Sequence, residues 1–185
     1  FKYPDLPKRV ENIDINVVVK NTTGNSNDTY IDINTLNFKI DQDVFKSSGT
    51  LKNITENMLV NANIYGVLNL ANISKAYPVD LDTELSGVLR ANLNTAFDMK
   101  SIETNAYQNI RSTGNASITD FVYMSDDMTN PIQIETAIFS FKPGIVSLNT
   151  FSAKTGKTDL AATGTINNLL GFLFTDNDLK GTFNV

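Results

Sequence analysis

Apolar and polar residues alternate along most of this chain with the period of two that sends successive side chains to opposite faces of a β-strand. Ile13, Ile15, Val17 and Val19 alternate with Asp14, Asn16 and Val18. The Asn-, Ser- and Thr-rich stretch 21–28 then reads as a loop. Tyr30 to Ile40 is strand-like again, but its apolar phase slips between Ile33 and Leu36. A slip of one residue sends every later side chain to the other face, so a bulge or bend is expected there. Phe45 to Ile54 forms the next run, with Gly49 in its middle. Val60, Ala62, Ile64, Gly66, Leu68 and Leu70 then make one face of a long half-buried strand or strand pair, opposite Asn61, Asn63, Tyr65 and Asn69. Ser74 to Tyr77 predicts one helical turn, ended by Pro78.

Leu85, Gly87, Leu89, Ala91 and Leu93 alternate with Ser86, Val88, Arg90, Asn92 and Asn94. The period changes next. Met99, Ile102, Ala106 and Ile110 stand three or four apart behind Asp98, an N-cap residue type. This spacing predicts an amphipathic helix over 98–110, about three turns long, with its apolar side toward the sheet. Strands resume at 113–124, 132–142, 145–155 and 158–166, separated by the turn signals Pro143-Gly144 and Thr155-Gly156-Lys157, and the run 113–166 is expected to form an antiparallel meander. Residues 168–174, with Leu169, Leu170, Phe172, Leu173 and Phe174, predict a short buried helix or apolar plug, and 179–185 a last strand. The reading is an all-β fold of roughly nine or ten strands with one or two short helices. Residues 1–185 form a single domain, with no Pro- or Ser-rich linker to divide them. Glycine recurs near the start or middle of strands, at Gly49, Gly87, Gly114, Gly164 and Gly181. Such glycines let a sheet bend, so a curved antiparallel sheet, part of a longer repeat array, is expected.

Composition narrows the function. The net charge of −5 opposes nucleic acid and anionic membrane surfaces, which need clustered Lys and Arg. The absence of His and Cys removes Ser-His-Asp and Cys-His catalysis, His- or Cys-bound zinc, iron–sulfur sites and disulfides. No apolar run reaches the about 18 residues of a membrane helix. The chain begins Phe1-Lys2-Tyr3-Pro4, without Met and without a leader pattern, and is expected to be a piece of a longer protein.

The remaining chemical candidates each have a plainer reading. Gly156-Lys157-Thr158 resembles the end of a phosphate-binding loop, but Phe151 stands where that motif needs Gly. Asp41-Gln42-Asp43 and Asp176-Asn177-Asp178 open like calcium loops without the following Gly and Glu, and read as solvated turns. Asp126-Asp127 and Asp80-Leu81-Asp82 are carboxylate pairs that nothing places across a cleft. Lys100 precedes Ser101 with the wrong spacing for Ser-Lys catalysis. Five Asn-x-Ser/Thr sequons, the first at Asn21-Thr22-Thr23, are expected by chance among 24 asparagines. No catalytic, metal or cofactor site is expected, and the chain reads as a non-enzyme.

The stretch Tyr107 to Phe121 around Arg111-Ser112-Thr113-Gly114-Asn115-Ala116, the hairpin Phe141-Lys142-Pro143-Gly144-Ile145-Val146-Ser147-Leu148, and then Ala153-Lys154-Thr155-Gly156, Gly164-Thr165-Ile166-Asn167-Asn168-Leu169-Leu170-Gly171 and Leu179-Lys180-Gly181-Thr182-Phe183 stand in order along the second half. In that order they resemble the C-terminal region of the AsmA-like family. The resemblance covers residues 80–185; residues 1–80 share only the texture of the strands. It implies a long antiparallel sheet curved like a taco, similar to the repeating β-groove of TamB-like and chorein-type proteins. It further implies a segment of a periplasmic envelope protein of a Gram-negative bacterium, anchored in the inner membrane. Phospholipid acyl chains and neighbouring repeats of the same full-length chain are the implied partners, in lipid transport and outer-membrane biogenesis. The family's motifs are structural and carry no catalytic residue.

The residues themselves support one part of this. A sheet with one apolar face must cover it with another layer or with ligand. Ile64, Leu68 and Leu70, Leu85, Leu89 and Leu93, and Ile134 and Ile138 are the candidate lipid-facing stripes, with ordinary protein core as the competing reading. A structural or adhesive β-sandwich or solenoid module of a bacterial surface is the alternative, and it predicts a closed core. An outer-membrane barrel needs aromatic girdles, which no Trp and 6 Tyr do not supply.

Overall fold

Ten strands pair in chain order into one curved, unclosed antiparallel sheet. The computed structural model describes residues 2, 8–76, 86–124, 129–169, 172 and 178–185. The strands are β1 (Glu11–Lys20), β2 (Tyr30–Ile40), β3 (Asp43–Lys52), β4 (Leu59–Asn69), β5 (Val88–Asp98), β6 (Arg111–Tyr123), β7 (Ile132–Lys142), β8 (Ile145–Thr155), β9 (Thr158–Ile166) and β10 (Gly181–Asn184). Two short helices, α1 (Leu70–Ala76) and α2 (Met99–Glu103), lie between strands. The expected meander over 113–166 is present, with two-residue turns at Pro143-Gly144 and Gly156-Lys157. Pro143 sets the first turn position and Gly144, at φ 73, takes the left-handed second one, the sequence pattern of a type II turn.

The expected bulge between Ile33 and Leu36 appears as a register shift of β2 against β3. It keeps Ile31 and Ile33 in phase with Leu36 and Phe38, so one face stays apolar through the slip. One row of directly paired residues crosses all ten strands: Ile15, Leu36, Ser47, Ile64, Leu93, Gly114, Phe141, Val146, Ile166 and Gly181. The next row on the same face runs Phe38, Phe45, Gly66, Ala91, Ala116, Phe139, Leu148, Gly164, Phe183. Between them, on the opposite face, runs a polar row: Asp14, Asn37, Lys46, Tyr65, Asn92, Asn115, Ser140, Ser147, Thr165, Thr182.

Three expectations are corrected. The helix over 98–110 is only α2, followed by a separate 3-10 turn at Tyr107–Asn109. Asp98 does cap it, accepting the Ser101 N–H at 3.0 Å. The helix stops because Asn105 turns left-handed at φ 57, while Asn105 N–H donates to Ile102 O and Ala106 N–H to Ser101 O at 2.7 Å. That bond pair is a Schellman C-cap, and Asn tolerates its left-handed position. Met99, Ile102 and Ala106 are half-buried, and Ile110 is buried just before β6. Second, α1 starts at Leu70, so the predicted turn at Ser74 is its last part; Tyr77 and Pro78 lie outside the described residues. Third, the expected helix at 168–174 is present at Leu169 and Phe172, with the Phe172 N–H donating to the Asn168 carbonyl at 2.9 Å, but it is not wholly buried. Asn168 and Leu169 pack inward, whereas Phe172 is 43% exposed; Leu170, Leu173 and Phe174 lie outside the described residues.

The core is small. Ile40, Ile110, Ala137, Leu148, Ala153 and Ile166 are the buried apolar residues, and no large side chain is fully buried among the described residues. The chain exposes 11688 Å², against about 8,800 Å² for a compact 20.4 kDa monomer. A single sheet without a second layer accounts for the excess.

Two outcomes follow. Gly114 adopts φ 118 between Leu93 and Phe141, and a Cβ there runs into the Asn92 carbonyl. Gly114→Ala should therefore lower stability by about 1–3 kcal/mol, read as a lower urea midpoint at unchanged slope. Hydrogen bonds from Ser101, then Asn57, hold the Asp98 carboxyl below the usual aspartate range. Because the folded-state value is the lower one, its contribution is present above the ordinary value of about 3.9 and is lost as pH falls through the lowered value. Carboxyl NMR should place the Asp98 midpoint below that of an exposed Asp, and Ser101→Ala should raise it.

Candidate functional site

Among the described residues, the apolar face is an extended surface that no second sheet covers. β4 and β5 form its middle. Ile64 stands directly opposite Leu93, and Leu68 opposite Leu89, so two stripes read separately from the sequence meet as one patch. Leu89 continues to Ile118 of β6, and Leu93 to Gly114. All four of these candidates are half-buried.

The other candidates fall elsewhere. Leu70 is the first residue of α1, because the Asn69 side chain accepts the Ala71 N–H at 3.1 Å and starts a helix where continued alternation was expected. Leu85 lies outside the described residues. Ile134 and Ile138 do not share a face. Between Ile134 and Thr136 the register of β7 against β8 shifts, and beyond it Ala137, Phe139 and Phe141 join the apolar rows. Ile138 therefore points to the opposite face, between Ser117 and Thr150, and is 39% exposed. Ile134 stays with the apolar face, packed against the cluster of Ala137, Leu148 and Ile166. Across the sheet in the same phase as Ala137, Asp120 at φ 54 rephases β6 so that Phe121 meets Ile134.

The sequence reading passed over Ala91, Ala116, Phe139, Phe141 and Val146, which extend the patch from β5 to β8. The signal for Ala116 was the alternation in 114–118, whereas Ile138 interrupts it in 137–141. Phe38 and Phe45 stack with ring centroids 4.8 Å apart and extend it the other way. Leu169 covers the β7–β9 part, where the buried cluster lies. At about 4.8 Å per strand spacing the two rows, of nine and eight spacings, are roughly 43 and 38 Å long, more than the about 15 Å of one bilayer leaflet's hydrocarbon.

The candidates for polar chemistry are dispersed. Asp41 lies in the β2–β3 turn and pairs with Lys8, while Asp43 is buried and accepts from Asn72 at 2.8 Å. Lys157 is an exposed turn residue, and the Asp178 carbonyl accepts from Asn168. Asp80, Asp82, Asp126, Asp127, Asp176 and Asn177 lie outside the described residues. Lys154 donates to Glu135 at 2.7 Å on the strand surface, which lowers the Glu135 carboxyl and raises the lysine. Among the described residues no group of three potential ligands is placed to hold a metal ion, and no helix is long and apolar enough to cross a membrane, which says nothing of barrels. Comparison with family profiles, with curated proteins and with solved structures finds no match.

The half-covered state of the patch has a measurable consequence. Leu148→Ala in the buried cluster should cost about 2–5 kcal/mol, whereas Leu93→Ala in the middle of the open face should cost under half as much. Urea denaturation of the two variants checks this.

Proposed function

We propose that this chain is a non-catalytic segment of an AsmA-like envelope protein whose apolar sheet face takes the acyl chains of phospholipid. The observation that carries the reading is the pair of apolar rows running across the one sheet, which no second sheet covers among the described residues. Apolar surface of that extent is unfavourable in water and marks a place where something else binds. An acyl chain suits it, since the rows offer contact without hydrogen-bond donors or acceptors that would need partners. Ser47, Thr95 and Ser112 are the polar interruptions in the β3–β6 part, and Thr95 and Ser112 bond each other at 2.8 Å. The long rows suit passage of lipid along the sheet, in a periplasmic location, with neighbouring repeats of a longer chain prolonging the face beyond β1 and β10. Residues Ile64, Leu68, Leu89 and Leu93 are the central contacts in this reading.

The structural or adhesive module has one observation on its side, the closed cluster of Ala137, Leu148 and Ile166 beneath Leu169. It requires that the remainder of the face be closed in the same way.

Leu89→Asp separates the two. In a closed core an unpaired carboxylate costs several kcal/mol, enough to unfold a domain of ordinary stability. On a face wetted when empty, the same change should cost no more than about 2 kcal/mol and abolish lipid binding. Native mass spectrometry of the purified chain should show co-purified phospholipid, lost in Leu89→Asp at a modestly lowered melting temperature. Collapse of the fold favours the closed module. A normal melt with lipid retained, or a wild-type chain that carries and accepts no phospholipid, refutes the lipid reading.

A further inference from the structure

The polar face carries a separate feature. On it, several side-chain amides find polar partners across strands: Asn34 donates to Asn16 at 3.1 Å, Asn37 to Asp14 at 3.3 Å, and Ser140 to Asn115 at 3.2 Å. This pairing breaks over β4 and β5. There an open furrow of about 250 Å³ runs above the backbone of Ile64 and Leu93, with Tyr65 and Asn92 on one side, Asn63 and Asn94 on the other. The Asn92 and Asn94 amides and the Tyr65 hydroxyl make no hydrogen bond among the described residues. Asn63 spends only its amide nitrogen, on Ser48 Oγ at 3.3 Å, and keeps its oxygen free. Thr35, also in the lining, has a buried hydroxyl without a partner.

We propose that this furrow binds a neutral oligosaccharide. An amide presents a donor and an acceptor side by side, which matches the paired hydroxyls of a sugar ring. Tyr65, 50% exposed, offers an aromatic face on which the apolar side of a pyranose can stack. The lining contains one cation, Lys46, and no carboxylate, so it favours neither metal ions nor strongly charged ligands. The furrow crosses four strands, from β2 to β5, long enough for several sugar rings in line. This site lies on the opposite face from the lipid patch and does not depend on it.

The test is an NMR titration of the 185-residue chain with cellohexaose and, separately, with chitohexaose. Saturable shifts of the Asn63, Asn92 and Asn94 side-chain amides, with saturation transfer from the Tyr65 ring, are expected for at least one of them. Tyr65→Ala and Asn92→Ala, both on the exposed face, should each weaken binding about tenfold without moving the melting temperature. The proposal is overturned if neither sugar moves these resonances up to about 10 mM, well above the about 1 mM of a weak single site. It is equally overturned if both variants bind as the parent does, or if the shifts map to Leu68 and Leu89, which belong to the apolar face and do not line the furrow. The wild-type titration stands by itself should either variant misfold.

Discussion

A single sheet satisfies its backbone but buries little else, and nearly everything about this protein depends on that constraint. Nine antiparallel ladders consume the interior N–H and C=O groups of the strands. The side chains, though, have only one layer to pack in. Stabilisation falls to cross-strand pairs on each face, such as Phe38 on Phe45 or Ile64 on Leu93, which contribute about 0.2–1 kcal/mol apiece. The buried cluster of Ala137, Leu148 and Ile166 is the exception, where Leu169 folds back over the sheet.

Keeping one face apolar across ten strands demands constant correction of phase, because each bulge or change of twist threatens to swap the faces. The corrections fall largely to Asn and Asp. Within strands Asn12 and Asp120 hold positive φ, a conformation most other side chains resist, and Asp41, Asn53 and Asn105 hold it in the connections. Asn34 and Thr35 form the bulge of β2 and Asn149 lies in the register shift of β8, while Asn37, Asn63 and Asn115 bridge strands on the polar face. The abundance of asparagine thus has work in the fold, beyond any bias of composition.

The same residue type separates the two faces chemically. Amides bond to amide, carboxylate and hydroxyl partners across the polar face, whereas the apolar face has almost no group that needs a partner. Hydrocarbon on one side and sugar on the other are the ligands proposed for these surfaces.

The strands, their order as a meander from β6 to β9, the turns at Pro143-Gly144 and Gly156-Lys157, the bulge after Ile33 and the cap at Asp98 were all legible in the chain. Each is a local rule: period two, a residue locked or freed in φ, a side chain reaching a nearby N–H. The tertiary structure alone decided what depends on more distant partners. That Ile64 meets Leu93 follows from the β4–β5 register, which no spacing within either strand specifies. Ile138 left the apolar face because β7 rephases where its register against β8 shifts, and Leu70 left the strand because Asn69 turned from pairing to capping. The helix predicted to Ile110 stopped at Glu103 because Asn105 found a C-cap geometry that apolar periodicity does not encode. Periodicity thus specifies which side chains belong together on a strand; pairing between strands decides which of them share a surface, and whether anything covers it.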